Sequence, residues 1–243
     1  MTHETASLKV LLIQVREVPE VAAHECLSLR EVSGLDPEQI DTANAVLDPP
    51  IEWRRIERAD AVIIGGAGRH SAVDNDPFTD HLMGLVQRMV EENVPLFGSC
   101  WGHQFIARAL GGHVIHDPSN SEVGTHEVFS TDASSEDPVF DDCPRKYPVL
   151  MGHLDRVVEL PDRAIELAYS HRCRNQAFRI EGRPVWGTQF HAELSPERLV
   201  ERLSRYRQYA PSDDEFEEIQ RSVRPTPEAQ QIIHRFLEYA ATR

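Results

Sequence analysis

The stretch NVPLFGSCWGHQFIARALGG, residues 93–112, decides the fold of this chain. Its apolar run VPLFG is typical of a buried strand, and HQFIARAL has the spacing of a helix that two glycines end. Cys100 lies between them, with Gly98 two positions before it and Gly102 two positions after it. Glycines at these positions allow a tight turn and close packing of strand and helix. The stretch therefore predicts a strand–turn–helix unit with a thiol on the turn.

Apolar runs elsewhere in the first half predict more strands of this kind. LKVLLIQV (8–15) and ADAVIIGG (59–66) read, like 94–98, as strands buried on both faces. Residues 76–92 place apolar side chains at helical spacing, and the polar segment 16–58 is compatible with helix. This alternation predicts an α/β fold: a flavodoxin-like, doubly wound, mostly parallel sheet with helices on both faces. In such a sheet, ligands bind at the edge formed by the carboxyl ends of the strands.

The second half predicts a small antiparallel addition to this sheet. Its candidate strands are short, and the connections between them are too short for helices, so some pairs are expected to be antiparallel. These strands are predicted at 113–116, 126–129, 148–151, 157–160, 166–170, 176–180 and 184–190.

The C-terminal part predicts helices rather than strands. Residues 195–210 begin with Ser-Pro, a typical helix start, and 226–243 form a capped amphipathic pattern. Between them, 211–225 is acidic and reads as a linker or a solvated helix. We therefore expect one domain over 1–210, and an acidic extension over 211–243 whose terminal helix packs on that domain.

The composition limits the partners and the location of the protein. With 243 residues and a formal net charge of −15, the chain should repel nucleic acids and anionic membranes, although a local pocket could still hold a small anion. No apolar run approaches the roughly 20 residues that span a bilayer, and MTHETASLKV does not resemble a signal peptide. The four cysteines have no paired spacing. We therefore expect a cytoplasmic protein without a nucleic-acid or membrane partner.

The sequence offers Cys100 a base. A helix N-terminus favours the thiolate, although a buried structural cysteine explains the pattern equally well. PVWGTQFHAELSPE (184–197) presents His191 and Glu193 on one side of an extended backbone, so a carboxylate could hold an imidazole that takes the thiol proton. The same residues could also be an ordinary strand end. No PCxxC follows His191 and the chain contains no HExxH, so no metal site is predicted.

Together these motifs resemble the class I glutamine amidotransferase family over roughly residues 8–200. GSCWGHQ is similar to the family's G-x-C-x-G-x-Q motif, and GTQFHAE to its G-x-Q-F-H-P-E motif, with Ala192 in place of proline. MGHLDRVVELP further resembles the S-H-G-D-x-V-x-x-L-P stretch of the amidotransferase part of GMP synthase, with Gly152 and Leu154 in place of serine and glycine.

The resemblance implies roles for five residues. Cys100 would attack the side-chain amide of glutamine, His191 would act as base and then acid, and Glu193 would orient the imidazole. The backbone N–H groups of Gly66 and Trp101 would bind the oxyanion of the tetrahedral intermediate. Gly66 lies in IIGGAGRHS, which departs from the family's usual G-G-P-x-S after the two glycines.

The resemblance also implies substrate-binding residues. Gln104 would help to bind the amino-acid head of the substrate, as the family glutamine does. Gly124, Thr125 and His126 fall in EVGTHEVF, where the family's backbone contacts the substrate carboxylate. A plain edge strand explains these three residues as well.

The acceptor of the ammonia is not readable from the chain. No P-loop is present, so no ATP-driven amination and no cofactor are predicted. One alternative is a subunit that feeds ammonia to a separate synthetase. Another is a free-standing hydrolase or transferase that acts on glutamine or another γ-glutamyl compound. A third is a non-catalytic binding or regulatory module, which the complete Cys–His–Glu set argues against.

Overall fold

The computed structural model describes residue 5 and residues 7–48 and 50–243. Within these residues it contains eleven strands and seven α-helices, none of which is both long and apolar enough to cross a bilayer. In chain order they are β1 (Val10–Gln14), α1 (Pro19–Ser33), β2 (Ile40–Asn44), α2 (Trp53–Ile56), β3 (Ala61–Ile64), α3 (Thr79–Glu91), β4 (Leu96–Ser99), α4 (Trp101–Ala109), β5 (His113–His116), β6 (Glu122–Ser130), β7 (Lys146–His153), β8 (Asp155–Glu159), β9 (Ala164–Tyr169), β10 (Ala177–Ile180), β11 (Val185–Thr188), α5 (Pro196–Arg205), α6 (Asp213–Ser222) and α7 (Pro227–Ala241).

Nine of the strands form one mixed sheet in the order β2-β1-β3-β4-β11-β10-β9-β6-β7. The first five are parallel, and the last four continue the sheet by antiparallel pairing. β5 and β8 form a separate antiparallel ribbon. The predicted α/β fold with an antiparallel addition is therefore confirmed.

The sheet separates two apolar cores. Leu11 and Ile13 of β1 face a core that α3 and α4 cover, whereas Val10 and Leu12 face a core that α1 and α7 cover. Because successive side chains of a strand point to opposite faces, an uninterrupted apolar run is what this two-sided burial requires. The terminal helix α7 contributes to the second core, so it packs on the same sheet as the residues before 210.

The sequence did not predict strand β2, because it lies in the polar segment 16–58, which was described only as compatible with helix. Its sequence IDTAN pairs in parallel with β1 at the edge of the sheet. Only Ala43 and Asn44 of this strand are buried. An edge strand that exposes half of its side chains needs no apolar run, so β2 carried no hydrophobic signal.

The chain after 195 is helical as the sequence predicts, with a shorter first helix, and the acidic segment takes the helical of its two predicted forms. The helix predicted over 195–210 ends at Arg205 and continues as a 3₁₀ turn, Arg207–Tyr209. The acidic segment contains α6, which begins with a capping box between Ser212 and Glu215. This cap satisfies backbone donors that a short surface helix would otherwise leave free.

The turn between β4 and α4 is as tight as its glycines predict. Cys100 has φ 51° and ψ −99°, and a positive φ is uncommon for residues other than glycine. A Cβ atom on Gly102 would lie 2.1 Å from the carbonyl oxygen of Ile64, and one on Gly98 would lie 2.6 Å from the carbonyl of Gly102. Both glycines are therefore required by contact with neighbouring backbone.

We expect the substitution Gly102→Ala to lower the free energy of unfolding by about 1–3 kcal/mol, because the new methyl group must push α4 away from β3. Gly84→Ala is a matched control, since its Cβ would meet nothing within 4 Å on the exposed face of α3. The control should be as stable as the native chain, or more stable by up to about 1 kcal/mol. Urea unfolding followed by circular dichroism measures both, and equal stability of the two variants would contradict this account.

Candidate active site

The pairing of β4 with β11 brings Cys100 and His191 to the same edge of the sheet. The two strands are parallel, with Ser99 opposite Thr188, and the N–H of Cys100 donates to the carbonyl of Thr188 at 2.8 Å. Both chain segments leave the sheet at its carboxyl edge, and the thiol and the imidazole line one cavity there. Cys100 and His191 are only 7% and 4% exposed.

Glu193 lies against the imidazole of His191. Its Oε1 lies 2.8 Å from Nδ1 of His191, and its Oε2 accepts a hydrogen bond of 2.7 Å from the hydroxyl of Ser99. Nη1 of Arg202 lies 3.5 Å from the same Oε1, at ion-pair distance. The backbone N–H of His191 donates to the carbonyl of Leu150 at 2.8 Å, which fixes the position of the ring.

These contacts set the charge of the imidazole. Burial disfavours the charged form of the ring, but the negative charge of Glu193 and the interactions of the ring with Glu193 and Cys100 outweigh it, so the pKa of His191 is raised. Burial likewise opposes ionisation of Glu193, but the charge and hydrogen bond of His191 outweigh it and the pKa of that carboxyl is lowered. The arrangement is a basic imidazole beside a thiol, oriented by an ionised carboxylate.

The backbone around the thiol includes the two predicted N–H donors. Trp101 is the first residue of α4, where backbone N–H groups have no acceptor within the helix. Gly66 lies beside His191, because a Cβ atom on it would be 3.5 Å from Cε1 of the ring. Its N–H, however, donates to Oε1 of Glu25 at 3.2 Å. Gly66 is therefore at the site, with its donor bound to a buried carboxylate.

Gln104 lines the cavity, but its amide donor is occupied by the protein. Its Nε2 donates to the backbone carbonyl of Asp155 at 2.7 Å and to Oε1 of Gln189 at 3.0 Å. Nε2 of Gln189 in turn lies 3.8 Å from the sulfur of Cys100. In this structure Gln104 connects the wall of the cavity to the residues beside the thiol.

The structure does not bring Gly124, Thr125 and His126 to the cavity. They lie in the middle of β6, underneath α6: a Cβ atom on Gly124 would lie 2.7 Å from the hydroxyl oxygen of Ser222. The hydroxyl of Thr125 accepts a hydrogen bond of 3.0 Å from the N–H of Arg224. The sequence could not show that α6 would cover this strand.

The cavity has a volume of about 630 Å³. The charged residues among those that line it are Arg16, Arg69, Arg202 and Asp155. Arg16 forms a buried ion pair of 2.5 Å with Glu25. The sequence analysis did not identify Arg16, Glu25 or Arg202, although Arg16 directly follows the run LKVLLIQV at the edge where ligands bind.

One further group of side chains could hold a metal ion. Ligand atoms of Glu122, His153 and Cys173 lie within 4.8 Å of one another, and all three residues are buried. Glu122 already accepts hydrogen bonds from Ser170 and Gln176. Burial, together with the charge of Glu122, raises the pKa of the Cys173 thiol to about 12, and the thiol donates to the carbonyl of Asn120 at 3.3 Å.

Comparison with known proteins gives a family and named relatives. The family described as glutamine amidotransferase class-I matches residues 37–205. A GMP synthase (glutamine-hydrolyzing) subunit of Methanopyrus kandleri is 35% identical over 139 residues, which cover 57% of this chain and 68% of that protein. The protein of the same name from Pyrococcus abyssi is 36% identical over 111 residues, which cover 46% of this chain and only 57% of that protein.

A solved structure agrees over a longer part of the chain. The crystal structure of a glutamine amidotransferase from Thermotoga maritima has a TM-score of 0.73 and covers 98% of this chain and 99% of its own. Its sequence identity is 23%, so the likeness concerns the fold alone.

Because Glu193 raises the pKa of His191, we expect the imidazole to titrate above the usual histidine range. In a Glu193→Gln variant, the pKa of His191 should fall by about one pH unit or more. A raised pKa means that the charged ring stabilises the fold below the usual histidine pKa, and that this contribution is lost as the pH rises through the folded value. Nuclear magnetic resonance of the ring nitrogens measures the titration. Ser99→Ala is the control, since it keeps the carboxylate; an unchanged pKa in Glu193→Gln would contradict the assignment.

Proposed function

Because the chain belongs to the class I glutamine amidotransferase family, we propose that it hydrolyses the γ-amide of glutamine, or of another γ-glutamyl compound, to glutamate and an amine. The observation that carries the proposal is a thiol and a basic imidazole in one cavity, with an ionised carboxylate against the imidazole. Nucleophile, base and orienting group within such reach are the requirement for covalent acyl transfer.

The first half of the proposed reaction forms a thioester. His191 takes the proton of the Cys100 thiol, and the sulfur attacks the γ-carbonyl carbon of the substrate. His191 then gives this proton to the leaving nitrogen as the carbon–nitrogen bond breaks. For glutamine the leaving group is ammonia, and the γ-glutamyl group remains on Cys100.

The second half releases glutamate. Water attacks the thioester carbonyl while His191 takes its proton, the carbon–sulfur bond breaks, and the thiol is restored. Glu193 stabilises the imidazolium in both halves, in agreement with the raised pKa of His191.

Each tetrahedral intermediate carries an oxyanion that needs backbone donors. We assign the N–H of Trp101 to this task, supported by its place at the start of α4. We assign the N–H of Gly66 as its partner; this role requires the N–H to exchange its present acceptor, Glu25, for the oxyanion.

The use of the ammonia distinguishes two forms of the proposal. The curated relatives are named as one subunit of GMP synthase, which supports delivery of ammonia to a separate synthetase subunit. A free-standing hydrolase would need no such partner. The two forms differ in dependence, since an amidotransferase subunit should be nearly idle alone, whereas a hydrolase should turn over alone.

We expect the purified chain to release ammonia and glutamate from L-glutamine, alone or with a GMP synthetase subunit, and the Cys100→Ala variant to lose this activity by roughly 1000-fold or more. Cys26→Ala is the matched control, because Cys26 lies on α1 and burial raises the pKa of its thiol. An enzyme-coupled glutamate assay measures all three proteins. Equal activity of native chain and Cys100→Ala would contradict the thioester mechanism.

A further inference from the structure

Arginines are prominent among the residues that line the cavity of this acidic chain. The chain has a formal net charge of −15, yet three arginines and a single aspartate line the cavity. Buried carboxylates offset two of the arginines, since Glu25 pairs with Arg16 and Glu193 with Arg202, so what distinguishes these arginines is their unused hydrogen-bond donors rather than a net positive charge.

Two of these arginines are buried, and several of their guanidinium nitrogens lack a hydrogen-bond partner. The side chains of Arg16 and Arg202 are 1% and 6% exposed. Nε and Nη1 of Arg16, and all three nitrogens of Arg202, have no acceptor within hydrogen-bonding geometry in the described part of the chain. Buried donors of this kind are rare in folded proteins, because each unsatisfied group costs free energy. Five guanidinium nitrogens without an acceptor, on two residues that line one cavity, indicate a missing acceptor.

Both arginines lie close to the imidazole of His191 and line the same cavity. A Cβ atom on Gly66 would lie 3.2 Å from Nη2 of Arg16 and 3.5 Å from Cε1 of His191. Arg202 contacts Glu193, whose carboxylate binds Nδ1 of the same ring. In the proposed reaction His191 protonates the leaving nitrogen, so a group attached to that nitrogen lies in the cavity that the two arginines line.

We propose that Arg16 and Arg202 bind a carboxylate on the amine half of the substrate, so that the preferred substrates are γ-glutamyl amino acids rather than glutamine alone. This inference rests on the proposed function, because it assumes cleavage of a γ-glutamyl amide at Cys100. The reaction is the same hydrolysis: the γ-carbon–nitrogen bond breaks, His191 supplies the proton, and the leaving group is a free amino acid instead of ammonia.

The chemistry of the two arginines favours this ligand. Planar guanidinium groups match carboxylates through paired hydrogen bonds, which are stronger than those between neutral groups. A ligand without a hydrogen-bond acceptor would leave these buried N–H donors unpaired. Binding sites with such donors discriminate strongly against ligands that lack the acceptor. The cavity of about 630 Å³ also lies well within the range of sites for ligands larger than a single amino acid.

Binding to the Cys100→Ala variant tests the subsite without turnover. Isothermal titration calorimetry compares γ-glutamylglycine with γ-glutamylglycinamide, which differ only in the terminal carboxylate. We expect the acid to bind roughly 10- to 100-fold more tightly than the amide. Equal affinities, or no binding of either compound, would overturn the proposal.

An arginine substitution assigns the preference to these residues. In a Cys100→Ala, Arg202→Gln double variant, the ratio of the two affinities should fall toward one. Arg198→Gln is the matched control, because Arg198 lies one turn earlier on α5 and pairs with Glu31 outside the cavity. A ratio that stays unchanged in Arg202→Gln would overturn the assignment. So would an equal loss of affinity for both compounds, since it would mean that the arginines bind the shared γ-glutamyl carboxylate.

Turnover by the native chain separates this inference from the proposed function. Hydrolysis of glutamine with equal kcat/KM for the acid and the amide would reject the subsite and leave the proposed function intact. A binding preference for the acid without turnover of any γ-glutamyl compound, also after addition of a synthetase partner, would reject the proposed function and retain the subsite. Faster hydrolysis of the acid would support both.

Discussion

The parallel pairing of β4 with β11 is the interaction on which the site depends. Ser99 and His191 are 92 residues apart in the chain, and this pairing brings their side chains to 3.5 Å from each other. Gly98 and Gly187 lie opposite each other in the pair, and α4 packs directly on both. A Cβ atom on Gly187 would lie 2.9 Å from Nδ1 of His103 on that helix. Any side chain at these two positions would move the helix whose first turn carries the thiol.

Buried charge is the second constraint, and the ions at the site are stabilised by pairing. Glu193 is neutralised by His191 and Arg202, and Glu25 is neutralised by Arg16. Removing ions from water costs several kcal/mol each, so such pairs persist only where further hydrogen bonds satisfy them. The carboxylates meet this condition, whereas the two arginines do not. Single unpaired arginine nitrogens also occur at Arg30 and Arg179, whereas five of them belong to the two arginines of the cavity, and this concentration is what carries an argument about a ligand.

The sequence predicts the parts of the fold and of the site that depend on local pattern. β1, β3 and β4 are continuous apolar runs, and Cys100, His191 and Glu193 belong to motifs that specify their own backbone geometry. β2 was missed because an edge strand needs no such run. Gly124, Thr125 and His126 were expected at the site, but the docking of α6 on β6 covers them. Arg16 and Arg202 were missed because each acquires its role only from residues distant in the chain.

Glu25 links the two constraints. Its carboxylate accepts hydrogen bonds from the N–H of Gly66 and from Arg16, and a Cβ atom on Gly65 would lie 2.6 Å from it. The oxyanion of the proposed reaction and this carboxylate therefore compete for one N–H. Two negative charges this close repel each other unless Arg16 stays paired with Glu25. While that ion pair is kept, the N–H of Gly66 can bind the oxyanion and the carboxylate of Glu25 still has a charged partner. In the proposed reaction Arg16 would thus support the backbone donor through Nη2, which binds Glu25, while its Nε and Nη1 have no acceptor in the described residues.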